Sequence, residues 1–345
     1  MLRNYFYTGL LYFIKMLEFS DRGIYCPQAD VYIDPWKPVG KAIITHAHSD
    51  HARPGSDVYL CQLHSTELLK QRLGFGIKVE GLEYGKHIQI NGVDISLFPA
   101  GHIIGSAQVR LEYKGEIWVV SGDYKLTDDG ISTPFEPVTC HHFITECTFG
   151  LPIYKFPDQQ EVFDDMNRFW QDNACEGMNT VFIGYSLGKA QRIVQGLNAG
   201  IGPVFLHGAI ANIHEALARQ GFAFPGERVQ GDTPKEQFYK AVIIAPTSAL
   251  GSPWLKKFSP YRIGFCSGWM QLRGARRRRG VDRGFILSDH ADWDQLNAAV
   301  KATGAQHIYA THGYQHVYAH WVREAYGLEG HEVQSFFQPV DSEDI

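Results

Sequence analysis

The sequence predicts an α/β protein. Its expected core is a two-sheet sandwich that presents metal-seeking side chains along one edge, interrupted by a second α/β unit built on a parallel sheet. Three observations carry this expectation. Short apolar runs end repeatedly in histidine or aspartate, as Ala42-Ile43-Ile44 does before Thr45-His46-Ala47-His48-Ser49-Asp50-His51. From about 150 to 265, strand-like runs alternate with helical ones, the pattern of a parallel sheet. After about 266 further strand-like runs return, again ending in histidine. With 345 residues, 44% of them apolar, the chain is long enough for one large or two ordinary domains.

Taken in order, residues 1–15 stand apart. Tyr5 to Ile14 is apolar and aromatic, yet too short to span a bilayer, and no small-residue cleavage site follows. They read as an N-terminal extension upstream of the domain, with a surface-packing helix as the alternative. From 16 to 149 short strands are punctuated by turns at Tyr84-Gly85-Lys86 and Asn91-Gly92, with a helix expected over Ser65 to Leu73. In the middle unit, Gln160 to Cys175 reads as a helix and Thr180 to Ile183 as a strand. Gly184 to Leu197 reads as a turn and helix. Val204 to Leu206, Ile213 to Gln220 and Val242 to Ala245 continue the alternation. The expected division is 1–15, then a sandwich from 16–149 and 266–345, with 150–265 inserted.

The ligand positions follow from these elements. Residues i and i+2 of an extended segment point the same way, so His46 and His48 can share one cation. Asp50 and His51 fall where the chain turns toward a helix and can serve a second. Three later runs repeat the device. Ile95 to Phe98 leads to Ala100-Gly101-His102, Ile117 to Val120 to Ser121-Gly122-Asp123, and His307 to Ala310 to Thr311-His312-Gly313. The resulting assignment places His46, His48 and His102 on a first metal and Asp50, His51 and His312 on a second. Asp123 bridges them, because a carboxylate has two oxygens. Imidazole and carboxylate donors suit zinc or manganese. A water held between cations roughly 3.5–4 Å apart would serve as a hydroxide nucleophile. The other histidines read as ordinary core or surface residues.

These residues resemble the H-x-H-x-D-H pattern of the metallo-β-lactamase superfamily. Further segments are similar to its β-CASP nuclease family. Thr145-Glu146-Cys147-Thr148-Phe149-Gly150 resembles motif A, and Gly184-Tyr185-Ser186-Leu187-Gly188-Lys189-Ala190-Gln191 the glycine turn near the start of the inserted domain. Leu287-Ser288-Asp289-His290-Ala291-Asp292 resembles motif B. Thr311-His312-Gly313 resembles motif C, with Tyr314 where many members carry Glu. Within the family, three segments bring the chain nearest to the bacterial DNA ligase-associated exonuclease group: Asp21 to Pro27, Ala249 to Trp254 and Arg273 to Gly280. The resemblance implies a metallo-β-lactamase αββα sandwich with an inserted β-CASP domain. It also implies a metal-dependent nuclease, a DNA exonuclease of repair, working beside a DNA ligase and other repair enzymes. His290 would protonate the leaving oxygen and Glu146 would orient it, a carboxylate being able to keep an imidazole charged. Asp50 joins them in the expected catalytic set.

Composition bounds the rest. The net charge of −5 excludes a general basic coat for nucleic acid, so substrate must be held locally. The basic run Arg273, Arg276, Arg277, Arg278 and Arg279 and the Ser186 and Lys189 turn are the expected substrate contacts. Six cysteines without C-x-x-C spacing exclude a disulfide framework and fit a reducing cytoplasm. No membrane partner is expected. An RNA-processing enzyme, a hydrolase of small esters or lactams and an inactive scaffold are the rival readings. The inserted unit argues against a small substrate, and the complete set of ligands argues against a scaffold.

Overall fold

The computed structural model describes residues 16–272, 274 and 280–333. The N-terminal extension expected over 1–15 lies outside them.

The first sheet runs in spatial order β1 (Glu18–Phe19), β2 (Ile24–Cys26), β3 (Val31–Ile33), β4 (Lys41–Ile44), β5 (Val58–Gln62) and β6 (Val79–Leu82). Its first two pairings are antiparallel and the other three parallel. Helix α1 (Thr66–Leu73) follows β5 and covers the outer face. β4 shows how the sequence pattern becomes a layer. Ile43 points into the core between the sheets, while Ala42 and Ile44 point the other way, against Leu68 and Leu69 of α1. This is the two-residue period of a strand buried on both faces.

The second sheet begins with β7 (His87–Ile90), β8 (Val93–Pro99), β9 (Ala107–Tyr113), β10 (Glu116–Val120) and β11 (His142–Glu146). The chain then leaves through α2 (Gln159–Cys175) into a third sheet. Its strands are β12 (Asn179–Ile183), β13 (Val204–Leu206), β14 (Glu227–Arg228), β15 (Val242–Ala245), β16 (Tyr261–Cys266) and β17 (Arg283–Phe285). Helix α3 (Lys189–Gly196) follows β12, and α4 (Gly208–Ala218) follows β13. Every pairing in this sheet is parallel, in the order β14-β13-β15-β12-β16-β17. Apolar cores lie on both of its faces, as a sheet fed by strand–helix alternation requires. The last strand of this sheet lies beyond residue 265, past the expected return point. Val242 to Ala245 appears as a wholly buried strand, and the expected helices all form with ends shifted by a few residues.

The chain then returns through α5 (Trp293–Thr303), β18 (His307–Thr311), α6 (Gln315–Tyr326) and β19 (Glu329–Glu332). β18 inserts beside β11 and completes a seven-stranded second sheet, β19-β18-β11-β10-β9-β8-β7. Ile33, Val109, Trp118 and Ile144 fill the space between the first two sheets. α5 and α6 cover the outer face of the second with Leu296, Val300, Tyr318 and Val322. The result is an αββα sandwich interrupted by an α/β unit. That unit docks back on the sandwich. Ile213 and Leu217 of α4 pack in the same cluster as Leu68, and Arg219 pairs with Glu67 at 2.7 Å. No helix among the described residues is long and apolar enough to cross a membrane.

Candidate metal centre

Strand ends bring the ligands together. His46 and His48 follow β4, His102 follows β8, Asp123 follows β10 and His312 follows β18. Gly122 makes one of these approaches possible. It has φ +57°, and a Cβ there would lie 2.6 Å from the side chain of Thr45, so the loop carrying Asp123 could not close on the loop carrying His46.

Asp123 Oδ2 is the centre of the arrangement. It lies 3.4 Å from His46 Nε2, 3.3 Å from His51 Nε2 and 3.8 Å from His102 Nε2. His48 Nδ1 lies 3.1 Å from both His46 Nε2 and His102 Nε2. Asp50 Oδ2 stands 3.7 Å from His51 Nε2. The His312 ring stacks on that of His51 with centroids 5.3 Å apart. His312 sits further out than the others, in a left-handed backbone conformation at φ +53°. Asp34, Asp50, His51 and His312 line one pocket with Phe19 and Trp36.

The far side of each buried ring fixes its tautomer. His102 Nδ1 lies 2.8 Å from the Asp289 carbonyl, and His48 Nε2 lies 3.0 Å from the Leu187 carbonyl. His51 Nδ1 lies 2.7 Å from Asp34 Oδ2. Thr45 Oγ1 donates to Asp34 Oδ2, which leaves its lone pairs for His46 Nδ1 at 3.1 Å. Carbonyl and carboxylate oxygens only accept, so the proton of each neutral ring sits on its outer nitrogen. The inner nitrogens of the three neutral rings, His46 Nε2, His48 Nδ1 and His102 Nε2, therefore face one another and Asp123 as lone pairs, while His51 Nε2 faces Asp123 Oδ2 at 3.3 Å. Lone pairs 3.1 Å apart repel unless positive charge lies between them.

The titration behaviour separates His51 from the other three rings. Burial holds His46 well below the ordinary histidine value and pushes His102 down to about 3 and His48 downward, so these rings are neutral, as ligands must be. Burial alone would lower His51 too, but the carboxylates of Asp123, Asp50 and Asp34 raise it well above its usual range. Asp123 is held well below the carboxylate range: burial would raise it, but His51 and His290 outweigh that. This donor set fits divalent cations, with His46, His48, His102 and Asp123 as one group and His46, Asp50 and His51 meeting beside it.

Next to the cluster, His290 Nδ1 lies 2.9 Å from Glu146 Oε2 and 4.0 Å from Asp123 Oδ2. Glu146 is buried and accepts a second hydrogen bond from the Tyr124 backbone N–H at 2.9 Å. The expected substrate residues fare differently. Ser186 lies half-buried in the turn before α3, where its carbonyl accepts from Gln191. Lys189 is not presented to a ligand. It is 3% exposed, and its Nζ lies 3.5 Å from Asp289 Oδ2. The helix that follows the turn packs inward, carrying Lys189 with it, so the expectation of a phosphate contact there is corrected. Arg273 and Arg276, Arg277, Arg278 and Arg279 lie outside the described residues.

Asp34, Asp289 and the Leu187 carbonyl were not singled out from the sequence. Asp34 closes the run Val31 to Ile33 and carried the same signal as the ligands, an acid at a strand end. Asp289 stood inside the motif quoted for His290. A backbone carbonyl leaves no trace in residue identity.

Fold and site together define a sandwich whose edge gathers histidines and aspartates fit to hold divalent metal ions. No family model matches the chain. A protein named Probable DNA ligase from Opitutus terrae is 32% identical over 91% of this chain. The Endoribonuclease YSH1 of Kluyveromyces lactis is 26% identical over 41% of it. The DNA cross-link repair protein SNM1 of Arabidopsis thaliana is 26% identical over 42% of it. The matches cover 30%, 18% and 32% of those proteins, so the chain spans less than a third of their length in each case. A solved protein of unknown function from Enterococcus faecalis shares the fold, with a TM-score of 0.56 at 12% identity over 85% of this chain and 78% of that one. The chain belongs to the β-CASP family of the metallo-β-lactamase superfamily.

Proposed function

We propose that the chain is a two-metal nuclease that hydrolyses phosphodiester bonds of nucleic acid. The observation that carries this reading is the convergence of four inward-facing imidazole nitrogens around Asp123, with His290 of the Glu146–His290 pair 4.0 Å from its carboxylate. His46, His48 and His102 would hold one cation, Asp50, His51 and His312 the other, and Asp123 both. Zinc and manganese both suit these donors. Cations bound there supply Lewis-acid charge for a phosphodiester and lower the pKa of water.

The chain's own residues do the rest. His290 takes the role of general acid toward the leaving oxygen. Glu146 fixes the ring by accepting from Nδ1, which leaves Nε2 to carry the transferred proton. Tyr124 N–H and burial hold Glu146 in place, so the pair is preorganised rather than assembled on binding. Asp50, partly exposed, stands at the open side of the cluster. Tyr185 of the inserted unit, 5.6 Å from the His48 ring, leans over the first group from the other side and supports a cleft between the two units.

We choose DNA as substrate and an exonuclease of repair as activity, because the relative that aligns with 91% of this chain is named a DNA ligase. That match also supports action beside a DNA ligase. An RNA substrate is the second reading, favoured by the match to an endoribonuclease. Six unbridged cysteines support a reducing, cytoplasmic setting. The test is incubation with end-labelled single and double strands of DNA and RNA, with zinc and with manganese. Metal-dependent shortening of DNA from one end is expected. Cleavage of RNA alone would select the second reading, and no cleavage of any strand would overturn both.

A further inference from the structure

We infer that the inserted unit completes the first metal group, with Arg192 and Asp289 acting as positioning residues for His102 and the turn before α3 positioning His48. This rests on the metal assignment above. Both ligands owe their orientation to carbonyl oxygens that the inserted unit sets. His48 Nε2 is held at 3.0 Å by the carbonyl of Leu187, which lies in that turn. His102 Nδ1 is held at 2.8 Å by the carbonyl of Asp289. The Asp289 carboxylate is gripped by the same short segment. Arg192 Nη1 donates to Oδ1 at 2.6 Å, and Lys189 Nζ stands 3.5 Å from Oδ2.

The grip closes on both sides of one peptide. Arg192 also donates to the Ser288 carbonyl, and its far side is satisfied by Gln159 Oε1. Asp129 Oδ2 lies 4.0 Å from Arg192 Nε. Asp289, Lys189 and Arg192 are 2%, 3% and 2% exposed. Two cations and a carboxylate this deep are costly to bury and contribute little net stability, whereas they hold geometry firmly. The turn itself has no slack. Gly188 has φ +87°, and a Cβ there would lie 2.3 Å from Ile103 Cγ2, the residue after His102. A cation enters the first group only where His48 Nδ1 and His102 Nε2 both point inward. Segment 187–192 sets both, one directly and one through Asp289. Nothing comparable from this segment touches His51, whose outer nitrogen is held by Asp34 of the sandwich.

Outer hydrogen-bond partners of metal ligands typically tune affinity by roughly 10- to 100-fold. The test uses the whole chain, stripped of metal and titrated with zinc against a competing chelator. Bound equivalents are counted by elemental analysis, and folding is checked by circular dichroism. Wild type is expected to bind two equivalents. Arg192→Met is expected to keep one at wild-type affinity and to bind the other roughly 10- to 100-fold more weakly. Adding His51→Ala to Arg192→Met removes the tight equivalent, while adding His48→Ala does not. Arg192→Lys, which keeps the charge, recovers part of the loss. If Arg192→Met does not fold, Lys189→Met decides the question, with the same selective loss expected. Two tight equivalents in the folded variant, or equal weakening of both, overturn the inference and leave the nuclease reading standing. A wild type that binds no zinc or manganese overturns the nuclease reading itself.

Discussion

The two proposed ligand groups are built differently. Around the first, His46 and His102 have no exposed side-chain surface, and His48 and His102 are held from behind by backbone carbonyls. Around the second, the Asp50 side chain is 36% exposed, His312 is exposed on a left-handed residue, and His51 relies on a side chain, Asp34. Backbone carbonyls within packed elements move little, while an exposed loop residue moves freely. The first group is therefore a fixed anchor and the second an adjustable one, opening on a pocket lined by Asp34, Asp50, His51 and His312. In the proposed assignment Asp123 is common to both, and His46 lies within reach of both clusters.

That shared position gives the largest expected effect. Asp123→Ala should cost both cations and reduce cleavage by at least ~10^3-fold, since it removes a group the whole site depends on. Steady-state cleavage with metal analysis measures it. A variant that keeps one tight equivalent would break the picture of a shared bridge.

His290→Ala tests whether the chemistry beyond the metals is preorganised. General acid catalysis typically contributes roughly 10^2- to 10^4-fold. The loss should appear in full on a natural phosphodiester and shrink on one with an activated phenolate leaving group, which needs no proton. Equal losses on both substrates would return His290 to a positioning role. The 2.9 Å contact to Glu146 predicts that Glu146→Gln loses part of the same rate and no metal.

Much of this was legible in the sequence, for a physical reason. Ligands at strand ends must follow apolar runs, so His102, Asp123 and His312 announce themselves by context. His46, His48, Asp50 and His51 lie within a single loop. The parallel sheet was legible because its strands are buried on both faces, as in Val242 to Ala245. What stayed hidden is what holds the ligands. The Leu187 carbonyl is invisible because every residue has one. Lys189 looked like a surface cation at a helix start, and only the tertiary packing of α3 turns it inward onto Asp289. Arg192 stands one residue past the recognisable turn and is buried with it. Sequence pattern reports which side chains bear chemistry, whereas long-range packing decides which of them face a substrate and which face each other.

Partial stripping distinguishes the two groups directly. A limiting chelator should remove the cation of the exposed group first, leaving one equivalent whose retention needs His48 and not His51. Asp34→Asn should sharpen the difference. It keeps the shape, removes the charge behind His51, and should weaken only the second cation, by roughly 10- to 100-fold. Simultaneous loss of both equivalents in either experiment would mean that the groups act as one unit.

The smallest effect is expected at Tyr314, two residues beyond His312. Its hydroxyl meets that of Tyr154 at 3.1 Å, and Tyr154 is fully buried. Tyr314→Phe leaves a buried hydroxyl without this bond, at a cost of about 1 kcal/mol of stability. Metal content should not change, because the tyrosine hydroxyl touches no ligand and the backbone that places His312 is anchored elsewhere. Tyr314 N–H donates to the Cys147 carbonyl at 3.1 Å, a bond that phenylalanine keeps. A melt shifted slightly downward with cleavage within about twofold of wild type would fit a second group whose adjustable loop is steered by backbone bonds. A large loss of the second cation would instead make the Tyr154–Tyr314 contact a part of its support, and the contrast between a carbonyl-held anchor and a freer partner would narrow.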